Sequence, residues 1–167
     1  MVLHSIHRFP DPILKRPTTS VARIDATLFS LIDALIAAMR HHPRCVGLAA
    51  PQLGSTMRVA VMDASRNPKT ATSRGLLVLV NPVLEHPGGW TIGREGCLSI
   101  PDFTANVRRA TRVRLRAQDR SGAPYALWLE GFEAVVAQHE TDHLDGTLFL
   151  DRVANISTDV FKSKTYL

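Results

Sequence analysis

Gln138-His139-Glu140-Thr141-Asp142-His143 is the stretch on which the reading of this chain turns. It lies in a run beginning after Gly131 in which Phe132, Val135, Val136, His139 and His143 recur at spacings of three and four. That spacing predicts a helix with these residues on one face. Two histidines four apart project from consecutive turns, so both imidazoles can meet one cation. Glu140 follows the first of them and lies beside such a cation without having to bind it, placed to take a proton from water. The pattern His-Glu-x-x-His is short enough to arise by chance, and two surface histidines on an ordinary helix would read the same. The apolar neighbours favour the wall of a dry pocket.

A catalytic metal site needs a third protein ligand and an open position. Downstream of His143 stand the acids Asp145, Asp151 and Asp159 and no further histidine. Upstream stands Glu95-Gly96-Cys97-Leu98-Ser99, in which Gly96 lets backbone approach closely and Cys97 offers a thiolate, a strong ligand for divalent transition metals. The competing use of Cys97 is as a small buried apolar residue. A third segment, Cys45-Val46-Gly47-Leu48-Ala49-Ala50-Pro51-Gln52, reads as a tight turn presenting one amide. Gln52 could stabilise an oxyanion there, or could be a solvated glutamine on a packed turn.

Working outward, Ile24, Leu28, Leu31, Ile32, Leu35, Ile36 and Met39 predict an amphipathic helix capped by Asp25 and ending near His41-His42-Pro43. Short strands are expected at 58–63, 76–81, 113–119 and 125–129, with a polar, mobile loop at 64–74 and a weakly patterned tail after Asp151. The fold class is α+β: a mainly antiparallel sheet packed around a central helix that bears the His-Glu-x-x-His motif.

The 167 residues, 45% of them apolar, fit a single domain spanning 1–167 that needs no disulfide staples. The net charge of +5 is concentrated between Arg108 and Arg120. If Val113, Leu115 and Ala117 face inward, Arg112, Arg114 and Arg116 face water. No aromatic residue interleaves these arginines within the segment, which weighs against a nucleic-acid surface and against specific DNA binding. No stretch approaches the ~18 apolar residues of a membrane span. The segment Met1 to His7 lacks the blocks of a signal peptide, and a thiolate ligand suits a reducing compartment, so a cytoplasmic location is expected.

Taken together and in this order, the three segments resemble peptide deformylase. The resemblance extends to Arg8–Pro12, Asn81-Pro82, Ile100-Pro101 and Leu144–Arg152. It implies a hydrolase that removes the formyl group from the N-terminal methionine of nascent peptides and releases formate. It implies a divalent metal, ferrous iron first with zinc or nickel able to replace it, held by Cys97, His139 and His143. Glu140 would be the general acid/base, and the Gln52 amide and the Leu98 N–H would meet the oxyanion. An extended peptide would add beside Val46, Gly47 and Gly96, with Phe132, Val135 and Val136 lining the methionine pocket. Glu95 would support the ligands by pairing with Arg108 or Arg109, with Arg109 as the candidate. The ribosome near its exit tunnel is the expected partner beyond the peptide, although Phe161-Lys162-Ser163-Lys164 is a short tail for docking.

Two positions depart from the family. Cys45 replaces a glycine, narrowing the groove or offering a thiol that could bridge to Cys97 on oxidation. Thr104 replaces an arginine that many relatives use to orient the peptide. The competing readings are a His-Glu-x-x-His metallopeptidase and a catalytically weak relative that binds peptide or ribosome.

Overall fold

The computed structural model describes residues 5–163, so Met1 to His4 and Lys164 to Leu167 lie outside the described residues. Helix α1 (Ala26–His41) begins where expected: the Asp25 side chain accepts from the N–H groups of Thr27 and Leu28 at 3.0 and 3.1 Å. Leu28, Ile32, Leu35 and Met39 form its buried stripe. Ile24 precedes the cap and stays exposed, so it is not a member of that stripe.

The strands are β1 (Gly47–Ala49), β2 (Val59–Met62), β3 (Leu77–Cys97), β4 (Ile100–Gln118), β5 (Pro124–Glu130) and β6 (Val160–Lys162). They form one antiparallel sheet in the order β1-β2-β3-β4-β5, with β6 pairing with β4. The fold is thus α+β with an antiparallel sheet. β3 and β4 run far past the short strands expected at 76–81 and 113–119. Asn81-Pro82 and His86-Pro87-Gly88-Gly89 read as breaks, but the sheet absorbs them as register shifts between Val80 and Val83 and between Glu85 and Gly88. Asn81 and His86 take positive φ at these irregularities, at 52° and 50°.

Along β4, Val107, Val113, Leu115 and Ala117 face inward, while Arg112 and Arg116 are exposed. The aromatic side chains missing from the arginine segment arrive from the neighbouring strands: Trp90 lies under Arg108 at 4.2 Å and Trp128 under Arg112 at 4.0 Å. Arg112 also approaches Glu130 at 3.4 Å, Arg116 bonds Glu85 at 2.7 Å, and Arg120 reaches Asp33 of α1 at 2.8 Å.

Helix α2 (Gly131–Leu144) runs across the inner face of β4, packing Ala134, Val136 and Ala137 against Val113 and Leu115. Its buried surface is not the apolar stripe expected, since Glu133, Glu140, Thr141, Asp142 and His143 are buried too. Burying so many polar groups is costly unless each is satisfied. The Gln138 side chain, for example, bonds both the N–H and the carbonyl of Ala110, at 3.0 and 2.8 Å, tying α2 to β4.

At the end of the polar loop at 64–74, buried Glu133 accepts from Ser73 Oγ at 3.0 Å and Arg74 N at 2.8 Å. The described part of the tail carries structure despite its weak pattern: a 3₁₀ turn (Phe149–Arg152), helix α3 (Ile156–Asp159) and β6 return the chain to the Phe103–Ala105 edge of β4. Among the described residues no helix is long and apolar enough to cross a membrane.

Candidate active site

β3 ends at Cys97, and the turn through Leu98 and Ser99 leads into β4. Behind this turn α2 presents His139, Glu140 and His143. The Cys97 Sγ lies 3.2 Å from His143 Nε2, and one ligand atom each from Cys97, His139 and His143 all fall within 4.8 Å of one another. The convergence the sequence reading required is present.

His139 is oriented by the residues behind it. Its Nδ1 is 2.9 Å from Glu95 Oε2, which leaves Nε2 to face the site. Glu95 is in turn gripped by Arg109 through Nε at 2.8 Å and Nη2 at 3.0 Å. Arg109 is therefore the partner of Glu95, while Arg108 lies on the outer face against Trp90. The network continues from Arg109 Nη1 to Asp142 Oδ2 at 2.6 Å and from Arg152 Nη2 to Asp142 Oδ1 at 2.6 Å. Asp142 and Arg152 are supporting residues the sequence reading did not single out. Asp142 occupies a variable position of the motif, and Arg152 is local to nothing in it.

The electrostatics follow from burial and close opposite charges. Burial opposes ionisation of Cys97, but the His143 and His139 imidazoles outweigh it and hold the thiol well below its ordinary range. Burial likewise opposes charge on Glu95, yet His139 and Arg109 bring it down to about 2. Glu140 behaves oppositely: burial first, then the negative Cys97 and Glu95, lift it to about 7 against the pull of His139 and His143. Its Oε2 is buried with no hydrogen-bond partner among the described residues.

Gln52 is almost fully buried rather than solvated. Its Oε1 accepts from Ala49 N at 2.9 Å, and its Nε2 points at Ser99 Oγ (3.1 Å) and Cys97 Sγ (3.5 Å). The Ala49 bond fixes which end of the amide faces the site. Gly47, on β1, lies directly against the Glu140 carboxylate. A cavity of about 950 Å³ opens over these groups. Val46, Gly47, Gly96, Leu98, Phe132, Val135 and Val136 all line it, so every residue expected to touch substrate borders the same space. Cys45 lines it too as a free thiol, donating to the Gly47 carbonyl at 3.1 Å and pushed up to about 12 by burial and by Glu140.

A thiolate with two imidazoles is a donor set for borderline transition-metal ions, and three protein ligands leave a position open. The residues present fit such an ion. Their ligand atoms converge, His139 has its tautomer set from behind, and the orphaned Glu140 Oε2 lies where a water would satisfy it.

Comparison with known proteins agrees. Residues 3–159 match the family model of polypeptide deformylase. Peptide deformylase from Syntrophobacter fumaroxidans is 39% identical over 164 residues, 98% of this chain and 94% of the relative. That from Alkalilimnicola ehrlichii is 40% identical over 98% of this chain and 89% of its own. The crystal structure of peptide deformylase from Thermotoga maritima superimposes with a TM-score of 0.84 at 33% identity, covering 93% of this chain and all of the other. A class I type b peptide deformylase from Acinetobacter baumannii, solved with Met-Ala-Ser bound, gives 0.84 at 32% identity over 91% of this chain and 99% of that one.

Proposed function

Since the chain belongs to the peptide deformylase family and is a deformylase hydrolase, we propose that it removes the formyl group from the N-terminal methionine of nascent peptides, with Cys97, His139 and His143 as metal ligands and Glu140 as general acid/base. The observation that carries this reading is the buried, partnerless Glu140 Oε2 beside a converging thiolate and two imidazoles. A divalent ion there, ferrous iron first and zinc or nickel in its place, supplies the positive charge that activates water and polarises the formyl oxygen.

The chain's own groups do the rest. Glu140 takes the proton from the attacking water at its carboxylate and returns it to the departing methionine nitrogen. A carboxylate lifted toward neutrality by its surroundings is suited to both transfers. Gln52 Nε2 and the Leu98 N–H stabilise the negative charge that develops on the formyl oxygen. Glu95 and Arg109 keep His139 in position. The exposed side of β1 at Val46-Gly47 and the backbone at Gly96 receive the peptide as an added strand, which binds main chain and tolerates varied sequence. Phe132, Val135 and Val136 take the methionine side chain. The Met-Ala-Ser bound by the Acinetobacter baumannii relative supports a peptide that begins with methionine. We read residues 1–167 as one working domain, acting in the cytoplasm and meeting its substrate near the ribosomal exit tunnel.

The test is formate release from a formyl-methionyl peptide, assayed anaerobically with ferrous iron. The wild type releases formate, Glu140→Ala releases almost none while retaining metal, and chelation abolishes activity. Cleavage of an internal peptide bond instead would make the protein a metallopeptidase and sink the proposal.

A further inference from the structure

Among the described residues that line the active-site cavity, the exposed charges are all positive. Among the residues that line it, the carboxylates are Glu95 and Glu140, both buried at its floor. The cations are Arg44, Lys69, Arg94 and Lys162, all exposed around its mouth. They come from four separate elements: the turn before β1, the polar loop at 64–74, β3 and β6. The chain therefore folds to gather positive charge at one opening.

Two of these cations, Arg94 and Lys69, are held by neutral partners. The Arg94 guanidinium stacks 3.5 Å from the ring centroid of Phe161 and donates to Asn106 Oδ1 at 3.1 Å and Thr104 Oγ1 at 3.4 Å. Lys69 lies 5.5 Å from the Phe132 centroid. Neither these two nor Lys162 is in an ion pair among the described residues. This contrasts with the arginines further along β4, where Glu85 takes Arg116 and Glu130 approaches Arg112. Neutral partners orient Arg94 and leave its charge uncompensated.

We propose that this rim selects formyl-methionyl peptides that carry a carboxylate downstream of the methionine, with Arg94 and Lys162 as the specificity-determining pair and Lys69 in support. The proposal rests on the deformylase reading, since it takes the cavity as the peptide site. A peptide seated with its methionine beside Phe132 and Val136 leaves through this mouth, so its third and fourth residues pass the rim cations. The cations act there on capture of the peptide, not on the bond being broken. A like charge at those residues is repelled at the same place.

The experiment compares formyl-Met-Ala-Ala-Asp-amide with its Asn and Lys counterparts at low ionic strength. The expected order of kcat/KM is Asp, then Asn, then Lys, with about tenfold between the extremes for a few exposed charges acting together, expressed in KM with kcat unchanged. Added salt compresses the series, because exposed charges are screened. Arg94→Gln with Lys162→Gln brings the Asp and Lys peptides together, and Arg94→Lys restores part of the difference. A second readout is calorimetric titration of the deformylated products Met-Ala-Ala-Asp-amide and Met-Ala-Ala-Lys-amide, which reports the preference without turnover. Equal binding and equal kcat/KM for the two peptides, or a preference indifferent to salt and to the double substitution, overturns the proposal. No formate from any peptide, with the Asp product still bound more tightly, overturns the hydrolase reading and leaves the charge selectivity standing.

Discussion

Gly47 packs so closely on Glu140 that a β-carbon added to it would lie 2.3 Å from the carboxylate Oε1. The glycine is required by this contact and by nothing in its own turn. It lets the β1 backbone, the proposed seat of the peptide, come within reach of the proposed proton carrier.

Gly47→Ala therefore displaces the Glu140 carboxylate without removing it. A misplacement of this order costs about 10²-fold in kcat, while overpacking costs about 1–3 kcal/mol of stability. Bound metal should stay at the wild-type level, because Cys97, His139 and His143 are untouched. Steady-state kinetics with metal analysis checks this, and wild-type kcat in the alanine variant would show that the contact does not position Glu140.

Glu95 links His139 to Arg109 in a buried cluster. Glu95→Gln leaves Asp142 as the one carboxylate facing Arg109 within this cluster, and its single amide oxygen cannot accept from both Arg109 and His139. The expected loss is roughly 3–5 kcal/mol for breaking a buried ion pair, together with about 10–100-fold weaker metal binding. Denaturant unfolding and a competitive metal titration measure the two separately. Retention of both would reduce the network to packing.

The thiol and two imidazoles that converge in the cavity were legible because they reside in local patterns: two histidines one turn apart and a glycine-flanked cysteine. What lay behind them was not. Choosing Arg109 over Arg108 requires knowing which face of β4 each occupies, and that depends on a strand that runs to Ile100 through residues that read as loop. The prolines and glycines near Asn81 and His86 look like strand ends, yet the partner strand lets the chain continue past them with register shifts. Trp90 and Trp128 come to lie beside the arginines only through pairing of β3 and β5 with β4. Glu133 gave no sign that it would bond the end of a polar loop, since its partners are far away in sequence. Local chemistry fixed what the site contains, and long-range pairing fixed how it is held.

The lifted Glu140 gives a sign to the pH dependence of the metal-free protein. The folded carboxyl titrates at about 7 instead of 4.5, so the folded state holds the proton more tightly. Its contribution to stability is full below pH 4.5 and falls as the unfolded chain ionises. It is lost once pH rises through 7, a ceiling of roughly 3 kcal/mol from the linkage relation. In metal-free protein, Glu140→Gln should be more stable than wild type at pH 8 and not at pH 5. Thermal unfolding at the two pH values reads this directly. A constant difference across the range would mean that burial does not govern this carboxyl.

Gln52 allows catalysis to be separated from folding at a single side chain. Its Oε1 is committed to Ala49 N at 2.9 Å, and only Nε2 is directed to the site. Gln52→Leu removes both functions, stranding a buried N–H at about 1–3 kcal/mol. Gln52→Glu keeps an acceptor for Ala49 and replaces the donor by a carboxylate buried beside Cys97 Sγ, which carries a stability cost of its own. If Nε2 stabilises the oxyanion, the glutamate variant should lose about 10²–10³-fold in kcat, with KM little changed and the metal retained. The leucine variant should show a similar kinetic loss and be less stable as well. Comparing kcat with unfolding free energy across the pair settles the role: a glutamate variant that turns over at the wild-type rate leaves Gln52 as a brace for the β1 turn and assigns the oxyanion to Leu98 N–H and the metal alone.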